Sequence, residues 1–148
     1  MRNLAFLLVC LMGLNACLEY TPPIRSGMVV YDSAHSAPLA APEIGPASQS
    51  RVLSDGQLHE LDQWLRSHRS SWGFLVDAPP HPSISVALVH DDGTRSELDI
   101  ILRWYTGKPA QLLVLTRRDR NGKFMDGASR QLSNEDISGL EGLLAVRQ

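Results

Sequence analysis

The chain has 148 residues, of which 43% are hydrophobic, and its formal net charge at pH 7 is −2. This near-neutral balance is not that of a nucleic-acid-binding protein, whose binding surface is usually strongly basic. The hydrophobic content and the scarcity of long biased tracts indicate a globular fold over much of the chain.

A short apolar run opens the chain. Arg2 is followed by the uncharged stretch Leu4–Leu14. A helix that crosses a bilayer needs about 20 apolar residues, whereas the apolar part of a secretory signal has about 7–15. We therefore predict a cleaved signal peptide rather than a membrane span.

The run ends in Leu14-Asn15-Ala16-Cys17. This segment resembles the lipobox of bacterial lipoproteins, in which an aliphatic residue and a small residue precede a cysteine. Leu14, Ala16 and Cys17 match the pattern. The resemblance implies that residues 1–16 are cleaved off as a signal peptide and that Cys17 carries a diacylglycerol on its sulfur and an acyl chain such as palmitate on its amine.

This anchoring has two consequences. Two or more buried chains hold a protein firmly on a membrane without a transmembrane helix, and Leu18, where related proteins of the inner membrane have Asp, implies the periplasmic face of the outer membrane. Because Cys10 leaves with the signal, no thiol remains for a disulfide, for catalysis or for a thiolate metal site.

Residues 17–50 are rich in Pro, Ala and Ser, a composition that predicts a lipid-anchored tether rather than a packed core. Within it, residues 27–33 (GMVVYDS) contain a short apolar run. Three interpretations stay open for this run: a strand at the edge of the domain, a disordered part of the tether, or a segment that binds a partner.

A compact domain is predicted over residues 51–148, and it should contain two helices. Ser54 and Gln57 form a capping box at the start of the first, and Ser133 is the N-cap of the second. Apolar residues recur at spacings of three and four after each cap: Leu58, Leu61, Trp64 and Leu65 in the first helix, and Ile137, Leu140, Leu143 and Leu144 in the second.

Alternating residues around Asp91-Asp92-Gly93 predict a β-hairpin. A three-residue loop with Gly93 in the left-handed conformation places Val86 opposite Leu98, whereas a two-residue loop would place Leu88 opposite Glu97. Because a slip of one residue moves a whole strand to the other face, the apolar pattern favours the three-residue loop.

Three further segments complete the fold. Residues 72–76 form a short strand or an apolar loop, residues 112–116 form a central strand that is apolar on both faces, and a turn at Asn121-Gly122 closes another hairpin. We therefore expect an α+β fold, with a small antiparallel sheet of about four strands and two helices packed on one face.

No pattern of catalytic or metal-binding residues stands out. His59-Glu60 lacks the second His of a zinc-protease helix, and no G-x-S-x-G motif is present. His68, Ser70, Ser71 and Asp77 form no specific triad pattern, and His90 is expected in solvent at the end of a hairpin. We expect no enzyme activity, no metal and no cofactor, with a small periplasmic hydrolase as the minor alternative.

Two segments are candidate partner-binding sites. WLRSHRSSWGF (residues 64–74) is similar to a tryptophan-flanked His-Arg segment of small proteobacterial proteins of unknown function, a resemblance that implies no activity. Trp72 either closes the core with Trp64 or, with Arg69, forms a binding surface. Residues 117–130 are locally basic, either as a solvated hairpin or as a contact for an anionic partner through Arg117, Arg118, Arg120 and Lys123.

These features favour a lipid-anchored envelope protein that acts as a non-catalytic, periplasmic protein-interaction module. Its expected partners are the membrane, through the lipid on Cys17, and another envelope protein or an anionic envelope component, but not nucleic acid. The alternative is an immunity or inhibitor lipoprotein that neutralises a periplasmic toxin or lytic enzyme.

Overall fold

One antiparallel sheet and two helices make up the described part of the chain. The computed structural model describes residues 22–31, 49–74, 81–103 and 109–144. The elements in chain order are β1 (Ile24–Tyr31), β2 (Gln49–Val52), α1 (Asp55–Ser67), β3 (Gly73–Phe74), β4 (Ile84–His90), β5 (Arg95–Arg103), β6 (Pro109–Arg118), β7 (Phe124–Gln131) and α2 (Asn134–Leu144).

The strands form a sheet in the order β2-β1-β4-β5-β6-β7-β3, with every neighbouring pair antiparallel. The predicted α+β class is confirmed, but the prediction of about four strands is wrong, because the described residues contain seven. β2 and β3 have four and two residues, too few to show an alternating pattern in the sequence.

β1 lies inside the sheet. It pairs with β2 on one side and with β4 on the other, and Val29, opposite Val86, is fully buried. The strand interpretation of this run therefore holds, but β1 is not an edge strand. β1 and the first residues of β2 lie within the stretch assigned to the tether.

The β4–β5 hairpin has the predicted register. Val86 pairs with Leu98 and Ile84 with Ile100, the His90 amide donates to the Thr94 carbonyl at 3.0 Å, and Gly93 has φ 83°. The predicted three-residue loop is confirmed, as are the interior position of β6 between β5 and β7 and the turn at Asn121-Gly122.

Both helices begin at the predicted serine caps. At α1, the Ser54 hydroxyl accepts from the Gln57 amide and the Gln57 side chain accepts from the Ser54 amide. At α2, the Ser133 hydroxyl and the Asp136 carboxylate form the same reciprocal pair. Such caps satisfy amides that the first helical turn leaves without partners.

One core fills the space between the helices and one face of the sheet. It is built from alternate residues of β1, β4, β5 and β6 together with Leu61 and Leu65 of α1 and Leu140 and Leu144 of α2. A smaller buried cluster lies on the other face of the sheet, at Ile101, Ala110, Leu112 and Val114. No helix in the described ranges is long and apolar enough to cross a membrane.

Three of the residues predicted from the sequence, Leu14, Ala16 and Cys17, lie outside the described residues, as does most of the stretch 17–50.

Candidate functional site

The structure separates the predicted binding residues into two groups. Arg117, Arg118, Arg120 and Lys123 lie together at the turn between β6 and β7, whereas Arg69 and Trp72 lie in the segment that joins α1 to β3. Gly73 pairs with Ser129 of β7, and Arg118 pairs with Phe124 of the same strand. These positions on β7 are five residues apart, which corresponds to about 17 Å along a strand.

Trp72 belongs to the core. Its side chain is 2% exposed, and its indole Nε1 donates to the His68 carbonyl at 2.6 Å. A buried tryptophan normally finds such a partner for its N–H group. Trp72 therefore closes the core, as one of the two interpretations predicted. The hypothesis that its side chain forms a partner-binding surface is corrected.

Phe74 is the aromatic residue that this segment exposes. It is 85% exposed on β3, the edge strand beside β7. The Phe74 carbonyl accepts from the Ser129 hydroxyl at 2.7 Å, which fixes the backbone while the ring stays in solvent. The sequence did not identify Phe74 as a binding candidate. Its segment WGF contains two aromatic residues, and no alternation of apolar and polar residues indicates which of the two is buried.

The backbone of the Arg69–Phe74 segment is held on several sides. Arg130 of β7 donates to the Ser70 carbonyl at 2.8 Å and to the His68 carbonyl at 3.4 Å. Ser71 has φ 68°, a left-handed conformation that costs a non-glycine residue energy and persists where the surroundings enforce it. With Trp72 in the core, these bonds make the segment a rigid support for the exposed Arg69 and Phe74.

A histidine–carboxylate pair joins the end of α1 to the start of α2. The His68 ring stacks on Trp64, with centroids 4.0 Å apart and an interplanar angle of 18°. Its Nε2 lies 3.2 Å from Asp136 Oδ1, and its Nδ1 lies 2.8 Å from the Trp64 carbonyl oxygen. Both ring nitrogens are therefore engaged in contacts that fix the end of the helix.

Ser67 extends this pair into the order Ser-His-Asp. Its Oγ lies 2.9 Å from His68 Nδ1 but also donates to the Trp64 carbonyl at 2.8 Å. A base that activates a serine must accept the hydroxyl hydrogen. Here that hydrogen is directed to the carbonyl, and Nδ1 faces the same oxygen as a donor, so these contacts position the segment rather than prepare a nucleophile.

The Asp136 carboxylate is the electrostatic centre of this junction. Burial raises its pKa, but hydrogen bonds from the Ser133 amide and hydroxyl and the positive charges of His68 and Arg130 outweigh burial and lower the pKa below its usual value. A lowered pKa means that the ionised carboxylate stabilises the fold above the unfolded-state pKa of about 4, and that this contribution is lost as the pH falls through the lower folded-state value.

We expect Asp136→Asn to lower the free energy of unfolding by about 1–2 kcal/mol at pH 7, because charge-assisted hydrogen bonds at a helix cap are lost. Urea titrations at pH 7 and at pH 3 test this. The difference from the unmodified protein should be smaller at pH 3, because Asp136 is then largely protonated in the unfolded state and ionisation in the folded state stabilises the fold less than at pH 7. Glu135→Gln, at an exposed neighbouring position, is the control and should show no such pH dependence; an equal deficit at both pH values for Asp136→Asn would contradict the assignment.

The second group of residues surrounds the β6–β7 turn. Asp119 Oδ1 accepts from the amides of Asn121 and Lys123, both at 2.8 Å, and so organises the turn. Arg117 forms a two-point ion pair with Asp126, and Arg118 donates to the Gly122 carbonyl at 3.3 Å. The Arg117 charge is thus compensated, whereas Arg120 and Lys123 are exposed.

Arg95 joins this group from β5. It is exposed and pairs directly with Arg118 across the strands. Like charges in such a position are unfavourable in the absence of an anion. Sequence reasoning missed Arg95, because the pairing brings together strands more than twenty positions apart in the chain.

His90 corrects another expectation. It is 3% exposed rather than solvated, with Nδ1 2.8 Å from the Pro22 carbonyl oxygen and Nε2 2.7 Å from Ser96 Oγ. The sequence placed His90 at a hairpin end but gave no sign that the start of β1 lies beside that end. His90 therefore ties Pro22 to the β4–β5 turn.

One cavity of about 360 Å³ lies between the start of α1 and the end of α2, where Arg51 and Gln57 donate to the carbonyls of Leu144 and Leu143. Another, of about 280 Å³, lies between the start of β1 and α1. Within the described ranges, no three His, Cys, Asp or Glu residues are grouped so that they could hold a metal ion.

Comparisons of the chain with protein-family models, with curated proteins and with solved structures find no match.

Proposed function

We propose that the chain is a lipid-anchored protein of the bacterial envelope that binds another envelope protein without catalysing a reaction. The lipobox-like segment ending at Cys17 supports the anchor, and Leu18 supports the periplasmic face of the outer membrane. The surface that supports partner binding is the edge of the sheet formed by β3 and β7.

The observation that carries this proposal is the exposure of Phe74 on a rigid backbone. Aromatic side chains contribute large apolar areas to interfaces. A group that is already ordered loses little conformational entropy on binding, so more of the contact energy appears as affinity. Ser129, Arg130 and Trp72 provide that order here.

A charged side chain adds a second means of recognition. Arg69, exposed at the start of the supporting segment, provides a positive charge near Phe74 in the chain.

Crosslinking in intact cells tests the proposal. We expect a photo-crosslinking amino acid at Phe74 in the full-length protein to capture one protein species, and the same group at Glu141, exposed on α2, to capture none of it. In a binding assay with that species, Phe74→Ala should weaken affinity by about 30-fold, the effect of losing a contact of about 2 kcal/mol.

The identity of the captured species separates the versions of the proposal. A toxin or lytic enzyme that loses activity when bound would support the immunity or inhibitor role. Crosslinks at Phe74 to lipid alone, or an equal yield from Glu141, would contradict a protein-binding site at this edge.

A further inference from the structure

The chain enters the sheet at a fixed point. The Pro22 carbonyl oxygen lies 2.8 Å from His90 Nδ1, and the Pro23 carbonyl accepts from the Asp91 amide at 3.1 Å. Ile24 then pairs with His90 at the end of β4. The first described residues are therefore held against the β4–β5 turn.

The basic β6–β7 turn lies at this same end of the sheet. Arg95, directly after the β4–β5 turn, pairs with Arg118, directly before the β6–β7 turn. The two turns also approach each other, because a side chain added at Gly93 would meet Arg120 Cγ at 3.3 Å. Pro22 and both turns thus form one end of the domain, which we call the basic end.

The length of chain before Pro22 limits how far this end can lie from a lipid on Cys17. Pro22 is only five positions after Cys17 in the chain, and five residue steps span at most about 18 Å when fully extended. A domain that began at Arg51 would have had a much longer reach. The incorporation of β1 into the sheet therefore brings the basic end close to any membrane that holds Cys17.

The charge of the basic end suits an anionic surface. At the two turns the cations outnumber the carboxylates by one: Arg95, Arg117, Arg118, Arg120 and Lys123 against Asp91, Asp92, Asp119 and Asp126. Among the described residues, Arg95, Arg118, Arg120 and Lys123 form no ion pair with a carboxylate. Phe124, half exposed and opposite Arg118, adds an apolar group of the kind that enters a membrane interface.

We propose that the basic end lies on the bilayer surface, with Arg95, Arg118, Arg120 and Lys123 against the phosphate groups of anionic phospholipids. This inference rests on the proposed lipid anchor at Cys17. Each basic side chain near an anionic membrane adds a weak attraction, and the anchor makes such weak contacts sufficient by keeping the membrane surface at a high local concentration.

The orientation has a consequence for the partner site. Phe74 pairs with Ala128, four residues along β7 from Phe124, or about 13 Å along the strand. With the basic end on the bilayer, the Arg69–Phe74 segment is held away from the lipid at the far part of the sheet edge. A partner would then contact the Arg69–Phe74 segment above the membrane surface rather than at the surface.

A chemical anchor tests the orientation independently of lipidation in the cell. The chain from residue 17 onward is coupled through the Cys17 sulfur to a maleimide lipid in vesicles, and an environment-sensitive fluorescent amino acid is placed at Asn121 or, as the control, at Ser70. In vesicles of equal parts phosphatidylglycerol and phosphatidylcholine, we expect the Asn121 probe to report a membrane environment and the Ser70 probe to report water. In phosphatidylcholine alone, both should report water.

Charge reversal identifies the side chains responsible. Arg120→Glu with Lys123→Glu should return the Asn121 signal to its value in phosphatidylcholine, whereas Arg69→Glu should change nothing. Arg117 and Arg118 are left intact in these variants because they bond to Asp126 and Gly122, and circular dichroism checks the fold. Equal signals from the probes at Asn121 and Ser70 would overturn the proposal, as would an Asn121 signal that survives charge reversal. An Asn121 signal that changes only when envelope proteins are added would also overturn it, because the basic end would then bind a protein partner.

Discussion

Trp72→Ala should lower the free energy of unfolding by about 3–5 kcal/mol, the usual cost of truncating a buried tryptophan. The side chain is 2% exposed and packs in the core, and the change also removes the hydrogen bond to the His68 carbonyl. Since small domains have a total stability of about 5–15 kcal/mol, such a loss would leave little margin. Urea unfolding of residues 17–148 measures this loss.

Two further variants make the result specific. Trp72→Phe keeps one apolar ring but lacks the N–H donor, so it should cost less than Trp72→Ala, and its remaining cost combines the lost hydrogen bond with the smaller ring. Phe74→Ala, at an exposed position two residues away, should change stability by no more than about 0.5 kcal/mol. A Trp72→Ala protein of unchanged stability that no longer binds its partner would instead make Trp72 a surface residue.

The features that the sequence predicts best depend on neighbours in the chain. The β4–β5 register follows from the alternation of Val86 and Leu98 with polar residues, because the competing register would place Glu97 opposite Leu88. The two serine caps likewise need only residues three positions apart. In each case one local arrangement satisfies the side chains and the others bury a charge or leave amides without partners.

The features that the sequence did not predict depend on distant contacts. β1 becomes an interior strand because it meets β4, about sixty positions later in the chain, and no local pattern contains that pairing. Trp72 and Phe74 are two positions apart, which on a regular strand would place them on one face. One is buried and the other exposed because the strand begins only at Gly73, so alternation does not extend to Trp72.

The position of β1 also changes how the anchor and the domain are related. A tether of more than thirty residues would let the domain rotate freely above a membrane, so no face of it would be favoured. With only four residues between Cys17 and Pro22, the lipid would restrict both the height and the orientation of the sheet. The proposed partner site at Phe74 and the proposed membrane contact at the basic end are then parts of one arrangement, which depends on Cys17.

Cys17→Ser should therefore have the largest effect in cells: complete loss of labelling by radioactive palmitate. The reason is chemical, since only the cysteine sulfur can form the thioether to diacylglycerol. Cys10→Ser is the matched control and should leave labelling unchanged, because Cys10 lies in the predicted signal peptide. Labelling that persists in Cys17→Ser, or that disappears in Cys10→Ser, would contradict the assignment of the lipid to Cys17.

Membrane attachment needs a separate version of this experiment, because an uncleaved apolar run could itself hold the protein on a membrane. Residues 1–16 are replaced by a signal peptide that is cleaved without lipidation, and Cys17→Ser is kept. We expect this protein in the soluble periplasmic fraction, because the basic end adds only about 1 kcal/mol per cation, whereas each buried methylene of a lipid chain adds about 0.8 kcal/mol. Attachment that survives both changes and a high-salt wash would show that the domain is held by a protein partner rather than by lipid.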